Sequence, residues 1–305
     1  MSEYSNENIN LSSPPPFFFY NCIFNALVPI LTYFQIDYEQ IFLHYFPRYD
    51  MENGKMEALY EEDKELYDIL NDMGIEIHKK TDPSNIVQDT IESLHEGKPV
   101  IVWADSYYQS NILDTYHTTH KKHCFLVKGV QGEYFQIIDH SYEFSKDYKE
   151  CMISFRELES CAKAYVDQFE TSDFPVFSAL SYNIRNANQS TKRGLKEYFD
   201  MLKQHSGDII EGHNKVQSYV FEEDELITLT NNMINYKTVI CDVIKKIDPE
   251  ISKLYSANLK EWKVFRVYLI RTQCNHQYQY EDMKERIAAL CENDYQLYKS
   301  IVGDF

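Results

Sequence analysis

The sequence predicts an α+β protein with a C-terminal helical region, and three observations carry that prediction. Up to about residue 150, segments with helical spacing alternate with short apolar runs that read as strands. The last two of those runs are joined by a Gly-containing connection, as antiparallel neighbours are. From about Asn188 onward the segments lengthen and only helical spacing remains. A chain of 305 residues can bury one large core with an appendage, or two cores. The expected division is a flexible N-terminus over 1–13, a mixed domain over 14–185 and a helical region over 186–305.

Met1 to Ser13 is polar, and Pro14-Pro15-Pro16 stiffens the chain before Phe17-Phe18-Phe19 enters the core. Cys22 then opens a helix whose apolar positions Ile23, Ala26, Leu27, Ile30, Leu31 and Phe34 recur at helical spacing, with Pro29 as a kink or an early end. Asp37 to Phe46 is apolar enough to pack beside it. Glu57 to Met73 reads as a helix stopped by Gly74, and IEIHKK as a strand. Asp82 with Pro83 opens another helix that ends near Gly97, and VIVWAD is a buried strand ending in Asp105. Cys124 to Val130 and Tyr134 to Ile138 are the paired strands. Cys151 to Ser154 forms a short strand before a further helix. Four helices follow in the C-terminal region: Lys192 to Gln204, Glu222 to Lys246, Pro249 to Asn275 and Tyr280 to Ile301.

The formal net charge is -18, which disfavours a nucleic-acid binder because phosphate binding needs a basic field. An acidic protein partner must meet a local basic patch, and Lys121/Lys122, Lys192/Arg193/Lys196 and Lys245/Lys246 are the candidates. Seven cysteines, scattered without CxxC pairs, read as reduced thiols. With no N-terminal signal and no apolar run approaching the roughly 18 residues of a membrane span, the expectation is a cytoplasmic protein with no membrane partner.

One cysteine stands apart. At a helix start, unpaired N–H groups and the positive dipole end favour thiolate, the form of Cys22 that attacks carbonyl carbon. His123 opens the first of the paired strands and Asp139 closes the second, so antiparallel pairing brings imidazole and carboxylate to adjacent strand ends. Together they are the nucleophile, base and orienting acid of a Cys-His-Asp triad. His140 is an alternative base. His117, His120 and His123 recur every third residue, but no cysteine or carboxylate at ligand spacing completes a tetrahedral site, so no metal is expected. The long polar segment from Ser106 to Lys122 reads as a lid or substrate wall, with Tyr107, Tyr108 and Tyr116 as its contacts.

The order Cys, His, Asp is that of papain-type folds. The segments NCIFNAL, GKPVIVWADSYY, HTTHKKHCFLVKGV and YFQIIDH resemble the N-terminal domain of the butirosin-biosynthesis acyltransferase family, papain-like (C39-peptidase-like) cysteine-protease relatives, over roughly residues 14 to 180. The resemblance implies a papain-like core with a C-terminal helical region, and Cys22, His123 and Asp139 as catalytic residues. Asp105 and Tyr108 fall on loop positions that match the family, without a role that the resemblance assigns; with Tyr116 of the lid segment they are the expected substrate-binding residues. The chain departs from the family pattern at Cys124, where a small residue is usual, and at Gly129-Val130-Gln131, where Gly-Tyr-Asp is usual. The activity implied is acyl transfer: an acyl or peptidyl carrier protein presents a thioester on its phosphopantetheine arm, and a small amine accepts the acyl group. The protein itself then needs no cofactor. A similar enzyme forms amide bonds in closthioamide biosynthesis.

Two other readings stay open in the sequence. A cysteine peptidase or thioesterase would use the same three residues with water as acceptor. A catalytically silent binding module would keep the fold and leave the thiol unused.

Overall fold

The computed structural model describes residues 7–13, 22–52, 54–142, 148–169, 175–183, 194–275 and 279–303. The Pro14 to Phe19 run and the Lys192/Arg193 pair lie outside them. The architecture is mixed α+β with antiparallel sheets. The chain forms two compact units, Met1–Tyr38 with Leu70–Ser190, and Glu39–Ile69 with Thr191–Phe305.

The first unit is built on a seven-stranded sheet. Its strands are β1 (Glu7–Asn8), β4 (Ile75–Lys80), β5 (Val100–Asp105), β6 (Lys122–Gln131), β7 (Tyr134–Asp139), β8 (Lys149–Ser154) and β9 (Phe177–Tyr182). The order is β4-β9-β5-β6-β7-β8, with β1 also paired to β6. β5 and β6 are buried almost throughout, as their continuous apolar runs require. Helix α1 (Cys22–Tyr33) packs on β6 and α4 (Phe155–Gln168) on β5; α3 (Ile86–His95) also belongs to this unit. Ser154 caps α4, its hydroxyl accepting from the Glu157 N–H at 3.2 Å.

Residues 7–11 of the expected flexible N-terminus are tied to the sheet. Glu7 and Asn8 pair with Val130 and Gly129, the Ile9 N–H donates to the Lys128 carbonyl at 2.7 Å, and Ile9 and Leu11 are buried. The alternation Ile9, Leu11 is a short strand-like pattern inside a polar segment. Pro29 neither ends α1 nor shortens it. Helix α3 starts three residues later than the Asp82-Pro83 pair suggests. The Asp82 carboxylate instead accepts from the Ser84 N–H in a turn.

The second unit corrects the expected division at 14–185, because residues 39–69 belong with the C-terminal helices. These residues form β2 (Tyr45–Glu52) and β3 (Lys55–Glu62), an antiparallel hairpin, where Glu57 to Met73 reads as one helix from spacing alone. Only α2 (Leu66–Asp72) remains helical there. The register pairs Glu52 with Lys55, and Gly54 between them sits at φ +81°. In the sequence Asn53-Gly54 stands between the two runs. That dipeptide is a strong hairpin signal that helical periodicity overrode.

The helices of this unit are α5 (Leu195–Gln204), α6 (Ser206–Ser218), α7 (Glu223–Ile247), α8 (Pro249–Cys274) and α9 (Tyr280–Val302), one more than expected. The additional helix, α6, is polar and carries two glycines, which hides it from a periodicity search. Its Gly212 is required by close approach: a Cβ there would lie 2.9 Å from both the N and O of Tyr49 in β2. The hairpin residues Tyr49, Met56 and Ala58 share a core with Trp262, Phe265, Ile287 and Leu290 of α8 and α9. Within that unit Lys237 and Asp294, both fully buried, form an ion pair at 3.0 Å. Asn258 and Trp262 also donate to the Asp294 Oδ1.

Candidate active site

The antiparallel pairing of β6 with β7 sets the start of one strand beside the end of the other. His123 and Asp139 occupy those two ends, and the His123 Nε2 lies 2.9 Å from Asp139 Oδ1. Since Nε2 is committed to the carboxylate, Nδ1 is the nitrogen that faces the thiol. Cys22 opens α1, which packs on β6, and its sulfur hydrogen-bonds with the side chains of His123 and Cys124. The structure therefore brings together Cys22, His123 and Asp139.

The protonation states follow from these contacts. The Cys22 thiol is held well below its usual range, first by the hydrogen bond from the Cys124 side chain. That bond and the charge and hydrogen bond of His123 together outweigh burial, which acts the other way. Burial pulls His123 down, but the Asp139 charge and hydrogen bond, with those of Cys22, raise it to about 10. Burial raises Asp139, and the positive neighbour His123 more than reverses this. All three shifts act in one direction, favouring thiolate, imidazolium and carboxylate over the neutral forms. The Cys124 thiol is pushed up by its own burial and by the Cys22 charge, so it stays a donor.

Two residues missed in the sequence complete the carboxylate's shell. Gln109 Nε2 and Asn111 Nδ2 each donate to Asp139 Oδ2 at 3.0 Å, while the His140 N–H donates to Oδ1 at 2.8 Å. Four donors leave the buried Asp139 fully satisfied. The segment before His123 thus reaches back to the site through Gln109 and Asn111. Its aromatic content points to tyrosines, and nothing in spacing marks the amides.

Asp105 is not available to a ligand. It is fully buried, its Oδ1 accepts from the N–H groups of Tyr107 and Lys121 at 3.1 and 3.2 Å, and its Oδ2 lies 2.5 Å from His120 Nδ1. The carboxylate staples the two ends of the loop together, which corrects its expected substrate-binding place. Tyr107 stacks on His120 at 4.3 Å, Tyr108 packs edge-on against Tyr107, and Tyr116 lies tilted against His117 at 4.1 Å. Tyr108 is half-buried and Tyr116 exposed, so both keep surface for a ligand.

His117, His120 and His123 diverge, His120 to Asp105 and His123 to Asp139. His123, Asp139 and His140 do offer ligand atoms within 4.8 Å of one another. The two rings, however, lie nearly parallel with 22° between planes, so their in-plane lone pairs do not converge on one ion. The carboxylate is also already filled.

No helix among the described residues is long and apolar enough to cross a membrane. No protein-family model and no curated protein matches this chain.

Proposed function

We propose that the protein is an amide-forming acyltransferase with a papain-like core, related to the butirosin-biosynthesis acyltransferases and acting in a reducing, cytoplasmic setting. The observation that carries the reading is the buried His123–Asp139 pair with the Cys22 sulfur on the ring's other side. The four segments that resemble that family contain the same three residues.

In the proposed cycle the Cys22 thiolate attacks the carbonyl carbon of an acyl thioester on the phosphopantetheine arm of a carrier protein. The Cys22 N–H at the start of α1 meets the developing oxyanion. The intermediate collapses with cleavage of the carrier's C–S bond, and the departing sulfur takes the proton of the His123 imidazolium. A neutral amine then attacks the acyl-enzyme, His123 accepts its proton, and the C–S bond to Cys22 breaks to leave an amide. Thiolate and imidazolium are restored. Asp139 holds the ring oriented throughout and stabilises its charged form.

A hydrolase would run the same steps with water in place of the amine, and it remains the second reading because the triad serves both acceptors. The silent module has less support, since an unused thiol needs no lowered proton affinity. The test offers a carrier-bound acyl thioester with and without a diamine, followed by mass spectrometry. Acyl-Cys22 that turns over to amide only when the amine is present supports the transferase. Equal turnover to free acid under both conditions makes it a hydrolase, and no acyl-enzyme removes both.

A further inference from the structure

We propose that the exposed seam of α8, with the cleft it forms against α9, is the docking surface for an acidic amphipathic helix on the carrier protein. This rests on the acyl-transfer reading for the partner's identity, but the surface stands on its own observations. Helix α8 carries five basic residues, Lys253, Lys260, Lys263, Arg266 and Arg271, against only Glu250 and Glu261, in a chain of formal charge -18. The helix is a local reversal of the molecule's sign.

The reversal has a geometry. Lys253, Ala257, Lys260, Val264, Val267 and Arg271 follow one another at alternating steps of four and three residues, so they share one face, and all six are exposed. Val264 is 60% and Val267 47% exposed. Steps of four and three are the spacing with which one helix meets another, and no acid interrupts the row. Beside it a cleft of about 470 Å³ opens between α8 and α9, floored by the buried Phe265 and Leu290.

The cations on this face are not all spent. Lys253 pairs with Glu250 at 2.7 Å, and on α9 Arg286 is held by Asp282 while its guanidinium covers the Tyr268 ring. Lys260, Lys263 and Arg271 have no carboxylate partner among the described residues. Lys260 lines the cleft, whose one carboxylate, Glu261, accepts a hydrogen bond from Asn293, and Arg271 lies further along the seam. A largely apolar cleft beside a row of cations fits a helix with apolar anchors and acidic flanks. The seam spans roughly 27 Å, the length of about five helical turns. A second copy of this chain is the weaker occupant, because two molecules of this charge repel at long range. The basic pairs named from sequence are less suited: Lys246 is bound to Glu39, and Lys122 lies over the Trp103 and Tyr165 rings.

The experiment uses the full chain, its Lys260→Glu/Arg271→Glu and Val264→Asp variants, and an acidic acyl carrier protein loaded with an octanoyl thioester. Binding is read by fluorescence anisotropy at low and high salt. Cys22 acylation is read by intact mass, from the carrier and from free octanoyl-pantetheine. We expect binding and carrier-dependent acylation to fall at least about tenfold in both variants, with acylation by free octanoyl-pantetheine unchanged and wild-type binding weakened by salt. Wild-type binding that survives both variants, absence of wild-type binding, or a wild-type dimer that the variants dissociate would each overturn the proposal. Circular dichroism checks that the variants remain folded, and Lys260→Ala provides a milder probe of the same face. If the binding contrast holds while neither thioester acylates Cys22, the acyl-transfer reading fails and the docking surface stands.

Discussion

The His140 ring lies nearly parallel to that of His123, with 4.8 Å between centroids, although the two come from different strand ends. Burial, helped by the His123 charge, keeps His140 below the usual histidine range, whereas Asp139 raises His123. One imidazole is charged and the other neutral, so the stack separates the base from a flat packing partner. His140→Phe should retain Cys22 acylation near the wild-type rate. His123→Phe should lower it by about 10² to 10⁴-fold. Loss of the same size in both variants, by intact mass over time, would return His140 to the role of base.

Alkylation of Cys22 by iodoacetamide should be nearly independent of pH from neutrality to about 9. Its neighbours lower the thiol well below its ordinary range, and His123 keeps its proton up to about 10. An ordinary thiol instead gains roughly tenfold in rate per pH unit below its pKa. The linked effect on stability has a fixed sign. The raised His123 pKa stabilises the fold fully below its ordinary value of 6.5 and ceases to do so as pH rises through about 10. Urea unfolding of wild type against His123→Gln should therefore converge toward the alkaline end.

Cys124→Ala should move the acid limb of that alkylation profile upward. It removes the largest influence holding the Cys22 thiol down. A hydrogen bond to a charged group is worth about 1.5–3 kcal/mol, so the shift should be about one pH unit or more. Labelling at pH 9 should be little changed. An unmoved profile would show that His123 alone sets the thiolate.

Gln109→Ala and Asn111→Ala each remove one donor from the Asp139 carboxylate, and each should slow acylation by roughly tenfold through a less firmly held ring. Asp105→Asn should behave differently. It disturbs the loop staple and should cost about 1–3 kcal/mol in unfolding free energy. Because Asp105 lies away from the thiol's own contacts, the pH profile of alkylation should keep its shape.

Asp294→Ala should destabilise the second unit by about 3–5 kcal/mol, because it strands the buried Lys237 without its partner. The double variant Lys237→Met/Asp294→Leu should be milder. Thermal unfolding followed by circular dichroism distinguishes the two.

The parts of this protein read correctly from sequence are those in which one local pattern decides. The apolar runs of β5, β6 and β7 are uninterrupted, so strand ends and the approach of His123 to Asp139 follow from pairing alone. Cys22 at the head of α1 is legible for the same reason. What escaped depends on partners distant in the chain. β9 inserts between β4 and β5 from some 75 residues beyond β5, and nothing in FSALSY announces that place. Leu59 and Tyr60 fit a helical stripe and a strand equally well, so the choice falls to the Asn-Gly signal before them and to the core beneath β3. Gln109 and Asn111 carry no apolar period, and their role appears only when the loop folds back on Asp139.

The placement of the β2–β3 hairpin bears on how the molecule can be taken apart. Its sequence lies inside the span that supplies the sheet and thiol, yet its buried face, with Met56 and Ala58, packs in the core that α8 and α9 complete. A truncation near residue 186 would leave those side chains facing water, and the released helices would lack the strands they close upon. The protein is thus two modules in space but not two consecutive lengths of polypeptide. An exchange of the helical module with a relative would have to carry residues 39–69 along with it.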